Sequence, residues 1–388
     1  MSESETFFPK PQTIAAAHGV ASDTAFGAIA PPLYLSTTYR FPCFDEPGAY
    51  DYGRSANPTR DMLADAIAAL EEGAGAVVTP SGMAAADLLF GRLKPEDVVI
   101  APHDCYGGTM RLLKARAALG HLTLRLVDQR DETAMAQAFE TRPALLLIET
   151  PSNPLMRVTD VAALAERAKR TGALVAVDNT FLSPALQKPL TLGADYVIHS
   201  TTKFINGHSD VISGAVVAAD AERAAQLRTW ANVTGAVASP FDSWLTLRGL
   251  RTLFARIRGQ ERNAFAVAGH LATHPAVARV HYPGLPAHPD HALAVRQQSG
   301  FGAMMSFELK GGVEAVRRFA SAVRVFTLAE SLGGVESLVA HPATMTHVDM
   351  GAEARARAGI GDNLLRLSVG LEHPDDLLSG LDAGLKGC

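Results

Sequence analysis

The feature that most limits how this chain can fold is a rhythm running from about residue 61 to residue 219. Short, almost wholly apolar stretches recur there: GAVVT (75–79), DVVIA (97–101), LTLRLVD (122–128), ALLLIE (144–149), ALVAVD (173–178), ADYVIHS (194–200) and SGAVVAA (213–219). Stretches with apolar residues at i, i+3 and i+4 lie between several of them. DMLADAIAALEEG (61–73) and GMAAADLLFGRL (82–93) are of this kind, as is VTDVAALAERAKRTG (158–172), with Thr159 or Asp160 as its cap and Gly172 as its stop. Strands apolar on both faces and separated by helices demand an α/β fold, a mostly parallel sheet covered on both sides. With 388 residues, 47% of them hydrophobic, the chain can bury a core of that size.

The flanks differ. Residues 1–60 are rich in proline, tyrosine and polar residues, with weak periodicity, and read as an extended N-terminal arm. After residue 255 the strand HYPG (281–284) and the alternating stretches GAMMSFELK (302–310) and LLRLSVGLE (364–372) mix with helical patterns. The expected division is an arm (1–60), an α/β domain (61–255) and a smaller C-terminal α+β domain (256–388). A net charge of −5 with no basic block argues against a nucleic-acid partner. Cys43, Cys105 and Cys388 lie far apart, which points to a reducing compartment; Cys105 reads as a small buried hydrophobe. The first residues, MSESETFFPKPQT, lack a basic region followed by an apolar one, and no apolar run approaches the roughly 18 residues that span a bilayer, so a cytoplasmic protein without signal peptide or membrane contact is expected.

Ligands of open α/β sheets bind beyond the carboxyl ends of the strands. There this chain places PSGM (80–83), HDCYGG (103–108), TPSNP (150–154), Asp178-Asn179 and Thr201-Thr202-Lys203. Ser81-Gly82 before a helix reads as a simple N-cap or as an anion site of free amides. A single aspartate after a strand is ordinarily a turn residue, a single tyrosine packing, and a single lysine a solvated charge. Lys203, however, has no other charged residue within five positions on either side. A desolvated lysine has a lowered pKa and can form a Schiff base. GxGxxG, P-loop, GxSxG and HExxH patterns are absent, and His288 and His291 read as surface residues of a Pro-rich loop and not as metal ligands. One cofactor accounts for the rim as a whole. Pyridoxal phosphate needs a lysine for its aldehyde (Lys203), a carboxylate for its ring nitrogen (Asp178), an aromatic face (Tyr106) and a phosphate cradle at Ser81-Gly82.

The motifs DYGRSANPTR (51–60), APHDCYGGTMRL (101–112), ETPSNP (149–154), VDNTF (177–181), HSTTKFINGHSDVISG (199–214), RGLRTL (248–253) and AESLGGVESL (329–338) resemble the Cys/Met-metabolism family of pyridoxal-phosphate enzymes, in order and from about residue 12 onward. The resemblance implies the aspartate aminotransferase-type fold (fold type I). It also implies that Lys203 carries the cofactor and then shuttles protons, that Asp178 pairs with the ring nitrogen, that Tyr106 stacks on the ring and that Asn153 contacts the 3-oxygen. Ser81, Gly82, Met83, Ser200 and Thr202 would hold the phosphate. Tyr52 and Arg54 would reach the phosphate of a neighbouring subunit, in a homotetramer of two dimers with shared sites. Arg366 matches the arginine that binds the substrate α-carboxylate, the reading without the family being a structural ion pair. Asp51, Ser55, Arg111, Glu330 and Ser331 match the distal substrate pocket. Leu332 in SLGG (331–334) fits members that work at Cγ. The implied reaction is γ-replacement of an O-acyl-L-homoserine by L-cysteine, serving methionine biosynthesis. γ-Elimination of cystathionine to cysteine, 2-oxobutyrate and ammonia comes second, and homoserine sulfhydrylation third. Members using succinylated homoserine often carry a second arginine where Ser55 stands, so succinyl and acetyl donors both remain open.

Overall fold

The computed structural model describes residues 9–388; the first eight residues of the expected arm lie outside the described residues. Seven strands, β1 (Gly75–Thr79), β2 (Val98–Pro102), β3 (Thr123–Val127), β4 (Leu145–Glu149), β5 (Leu174–Asp178), β6 (Tyr196–His199) and β7 (Gly214–Ala218), form one sheet in the order β1-β7-β6-β5-β4-β2-β3. Only β7 runs antiparallel to its neighbours. Each expected strand of this region is present to within two residues at either end. Alternation along the strands explains the two covered faces. Leu145 and Leu147 of β4 pack with helices Gly82–Phe90 and Ala221–Thr234, whereas Leu146 and Ile148 pack with helices Glu132–Glu140 and Val161–Thr171.

The second sheet comprises β8 (Val277–His281), β9 (Met304–Leu309), β10 (Thr327–Leu328), β11 (Leu338–Ala340) and β12 (Leu364–Ser368), in the order β10-β11-β12-β9-β8. All its pairings are antiparallel except β10 with β11. Helix Leu253–Thr273 joins the two sheets. Its Arg256 donates to the carbonyls of Phe204 (2.7 Å), Ile205 (3.2 Å) and Gly249 (2.9 Å). One turn on, Gln260 donates to the Gly334 carbonyl (2.7 Å), and Asn263 donates to those of Gly370 (3.0 Å) and Glu372 (2.9 Å). A single rod thus ties the segment after Lys203 to the loops of the second sheet.

Five details depart from the sequence reading. The helix expected from residue 61 is Pro58–Glu71, because Asn57 Oδ1 accepts from the amides of Thr59 and Arg60 and Pro58 fills the first helical position, where no N–H is needed. The strand placed at HYPG is Val277–His281; it stops before Pro283, which has no N–H to donate to a ladder. The boundaries drawn at 60/61 and 255/256 both fall inside helices, Pro58–Glu71 and Leu253–Thr273. The arm is not wholly extended, since Pro11–Ala17 is helical. His288, read as a surface residue, is buried; its Nδ1 accepts the Asp290 amide at 3.1 Å, and burial lowers its pKa to about 4. Cys105 is buried, as expected of a small hydrophobe. Among the described residues no group of side chains could hold a metal ion, and no helix is long and apolar enough to cross a membrane.

Candidate active site

The carboxyl ends of β1, β4, β5 and β6 share one rim, because these strands run in one direction. Above that rim is a cavity of about 600 Å³, closed on its far side by loops of the second sheet. Lys203, Asp178, Tyr106, Asn153, Ser81, Gly82, Met83, Ser200, Thr202, Arg111, Glu330, Ser331 and Arg366 all line it. Four expected residues do not: Asp51, Tyr52, Arg54 and Ser55 lie outside the cavity of their own chain. Arg54 Nε donates to Asn232 Oδ1 at 3.0 Å, and its guanidinium lies 5.6 Å from the centre of the Tyr52 ring.

Lys203 follows β6, and its Nζ donates to Ser331 Oγ at 2.7 Å. Burial lowers its pKa to about 8; the nearby Arg366 charge pushes the same way, with Glu330 opposing. Ser331 has φ 81°, a left-handed conformation unusual for serine. It is held there from both sides, because its carbonyl accepts Arg366 Nη2 at 2.9 Å. Gly333 completes this turn with φ 82°; a Cβ there would lie 2.7 Å from the Phe204 amide, so only glycine lets the turn lie against the lysine segment.

Arg366, on β12, is buried and has no acidic partner among the described residues within ion-pair distance. The structural ion pair is therefore not what holds it. Nη1 donates to Asn153 Oδ1 at 3.0 Å, and Nε has no partner among the described residues. Burial lowers its pKa to about 10. The Glu330 charge opposes this from beyond ion-pair distance, and a buried guanidinium without a contacting anion is costly unless something supplies one.

Asp178 ends β5. Its Oδ1 accepts the Thr180 amide at 3.0 Å. Burial raises its pKa, opposed by the Thr180 hydrogen bonds and by His199. Behind it lies a buried network the sequence reading did not find. Glu71 Oε1 accepts from Asn179 Nδ2 (2.9 Å) and faces His199 Nε2 at 2.7 Å. A second carboxylate was also missed. Glu149 ends β4 in register with Asp178, and its two oxygens accept the amides of Tyr106 (2.8 Å) and Asn153 (3.2 Å). Burial, then the Asp178 charge, pushes its pKa well up. The available signal was a carboxylate closing an otherwise apolar parallel strand.

At the N-terminus of helix Gly82–Phe90, Ser81 is the N-cap, its hydroxyl accepting the Ala84 amide at 3.0 Å. The amides of Gly82 and Met83 precede any helical acceptor and border the cavity. A Cβ on Gly82 would lie 2.7 Å from Ser200 Cβ, so the bare backbone is what leaves this cradle open. The Thr202 hydroxyl is engaged with the backbone of Ser213, donating to its carbonyl (3.0 Å) and accepting its amide (2.9 Å).

This donor set fits pyridoxal phosphate: an amine whose pKa burial lowers to about 8, a carboxylate on the cavity lining whose pKa burial raises, free amides at a helix N-terminus and an aromatic residue at the cavity wall.

Comparison with known proteins agrees. The chain is 51% identical to the cystathionine γ-synthase of Escherichia coli (strain K12), over 97% of this chain and 98% of that protein. It is 45% identical to the cystathionine γ-lyase of Dictyostelium discoideum, over 95% and 96% of the two chains. A crystal structure of cystathionine γ-synthase from Xanthomonas oryzae pv. oryzae, in complex with cystathionine, superimposes with a TM-score of 0.97 at 57% identity, covering 98% of each chain. The expected PLP-dependent transferase-like α/β fold is thereby borne out. The family pattern described as Cys/Met metabolism PLP-dependent enzyme matches residues 12–386, and the chain belongs to that pyridoxal-phosphate-dependent family.

Proposed function

We propose that this chain catalyses γ-replacement. An O-acyl-L-homoserine, succinyl or acetyl, and L-cysteine give L-cystathionine and a free carboxylic acid, the reaction of a cystathionine γ-synthase in methionine biosynthesis. The observation that carries this reading is a buried amine of lowered pKa, Lys203, sharing one cavity with a buried guanidinium, Arg366, that forms no ion pair among the described residues. Similarity to synthases at 51% and 57% identity supports the choice of reaction within the family.

Lys203, Asp178, Tyr106, Asn153, Ser81, Gly82, Met83, Ser200 and Thr202 hold the cofactor. Bound pyridoxal phosphate supplies an electron sink for the charge left at the substrate α-carbon. Arg366 takes the α-carboxylate in its planar fork. The Lys203 amine removes the α-proton and later returns it, a task suited to a group with a pKa of about 8. The Cγ–O bond breaks, the acyl group leaves as a carboxylate, and the cysteine sulfur bonds to Cγ. Glu330, Ser331, Arg111 and, from a neighbouring subunit, Asp51 and Ser55 line the distal side.

The arm of residues 1–60 reaches that neighbour, and Tyr52 and Arg54 complete its phosphate site in a cytoplasmic homotetramer. Supporting this is the apolar surface the arm leaves open in one chain: Phe26 is 95% and Phe44 93% exposed. Mixing Lys203→Ala and Arg54→Ala subunits after reversible dissociation should restore activity that neither has alone.

Steady-state assay decides the reaction. Purified holoenzyme should form cystathionine from O-succinyl- or O-acetyl-L-homoserine plus cysteine. If it forms none, yet splits cystathionine to cysteine and 2-oxobutyrate, the γ-lyase reading takes its place; Ser55 and the Dictyostelium relative favour that second reading. Borohydride reduction should fix the cofactor to the peptide carrying Lys203.

A further inference from the structure

Three cations line the cavity, and two of them, Lys203 and Arg366, lie deep in it. The third, Arg111, is on helix Gly107–Ala118 at the mouth, where more than half of its side chain is exposed. It is not free. Nη1 donates to Asp349 Oδ2 at 2.6 Å. Asp349 belongs to the turn Val348–Met350, which comes from the other side of the cavity and lines the same mouth.

The placement of Asp349 is not that of a loosely swinging surface side chain. Two residues earlier, His347 is buried, and its Nε2 lies 3.1 Å from the Asn153 carbonyl, which can only accept. Burial lowers the pKa of His347 to about 4, so the ring is neutral at working pH and donates that bond from Nε2. The Thr346 carbonyl lies 3.2 Å from where a Cβ on Gly107 would stand, so the segment rests on the first turn of the Arg111 helix. The Met350 amide then donates back to the His347 carbonyl at 3.1 Å, closing the turn that presents Asp349. The position that would receive a substrate's distal group thus holds a guanidinium already paired to a carboxylate, with Glu330 a further carboxylate on the lining. At position 55, serine offers no second cation.

We propose that Asp349 is a specificity-determining residue for the γ-substituent: by holding Arg111 at the mouth, it favours homoserine esters with an uncharged acyl end over those ending in a carboxylate. This rests on the γ-replacement reading. A terminal carboxylate drawn to Arg111 must either displace Asp349 from Nη1 or bind the remaining N–H groups beside its negative charge, whereas a methyl end meets neither demand. The pair is exposed, and pairs of this kind are weak and screened. The discrimination to expect is therefore about three- to tenfold, and not an absolute block.

The test is a competition. Holoenzyme is given equal O-succinyl- and O-acetyl-L-homoserine with cysteine at low ionic strength, and released succinate and acetate are quantified; their ratio equals the ratio of the two kcat/KM values. Wild type should release acetate in excess. Asp349→Asn, which keeps the side chain's size and removes its charge, should move the ratio toward succinate by about fivefold. Asp349→Glu, which keeps the charge, should stay near wild type. A ratio indifferent to Asp349→Asn, a shift of the same size in Asp349→Glu, or an excess of succinate from wild type overturns the role of Asp349 while leaving γ-replacement intact. Release of neither acid overturns both.

Discussion

Replacing Lys203 by methionine should stabilise the cofactor-free protein near neutral pH, although it removes the proposed catalytic amine. The lysine pKa is lowered from 10.5 to about 8, chiefly by burial. The folded state therefore resists the proton that the unfolded chain accepts readily. Below pH 8 the lysine is charged in both states, and folding bears the whole penalty. Between pH 8 and 10.5 the folded amine is already neutral, and the penalty fades; above 10.5 it is gone. A difference of about 2.5 pKa units at 1.36 kcal/mol per unit is about 3 kcal/mol. Methionine fills a similar volume, but the hydrogen bond to Ser331 is lost, at about 1 kcal/mol. The net expectation is a gain of about 2 kcal/mol at pH 7, shrinking toward zero and then to a small loss by pH 10.5. Urea unfolding of the cofactor-stripped forms, at equal subunit concentration and at pH 7, 9 and 10.5, measures it. A methionine variant less stable than wild type at pH 7, or a gain that does not change with pH, refutes the claim that the fold holds Lys203 against its own charge.

Three further outcomes follow from the geometry. Arg366→Lys keeps the charge but not the fork, so kcat/KM should fall about 10²-fold, mainly through KM, as two charge-assisted hydrogen bonds to the α-carboxylate are disturbed; a loss under tenfold in steady-state assay would remove Arg366 from that role. Burial holds His288 and His347 near pKa 4, against 6.5 when unfolded, so each makes stability fall as pH drops from 6.5 to 4. The double variant His288→Asn/His347→Asn should flatten that slope in urea midpoints taken at pH 6.5, 5.5 and 4.5, and an unchanged slope would show that neither ring is held neutral. Gly82→Ala puts a Cβ 2.7 Å from Ser200 Cβ and should weaken retention of pyridoxal phosphate about tenfold, read by absorbance after dialysis; full retention would place the phosphate elsewhere.

The rim constellation could be read from sequence because each of its members follows an apolar run that is unmistakably a strand. Lys203, Asp178 and Ser81 are fixed by chain distance from β6, β5 and β1, and local distance is what a sequence displays. Glu149 closes its strand just as Asp178 does, but the cofactor's chemistry calls for one carboxylate, and only the register of β4 against β5 brings a second beside it. The contacts across the cavity were not legible for a different reason. Nothing local says that Arg366 meets Asn153, 213 positions away, or that Asp349 meets Arg111, 238 away. These depend on how the second sheet is set against the first. The burial of His288 was hidden likewise, since the Pro-rich composition around it describes a turn but not what covers it. The true start of helix Pro58–Glu71 was written in the chain as Asn57-Pro58, a cap followed by a proline, inside a stretch read only for its resemblance.

Helix Leu253–Thr273 has a consequence for how this enzyme can diversify. Its Arg256, Gln260 and Asn263 bind backbone carbonyls and no substrate-facing side chain, so the distance between the lysine segment and the Gly334 and Gly370 loops is set by main chain on both sides. Side chains facing the cavity can change without altering that spacing. The turn Val348–Met350 lies beyond the rod's reach, tied instead through His347 and Arg111. Selection for a new donor can therefore work on a few mouth residues while the spacing between the lysine segment and the Gly334 and Gly370 loops stays as the rod sets it.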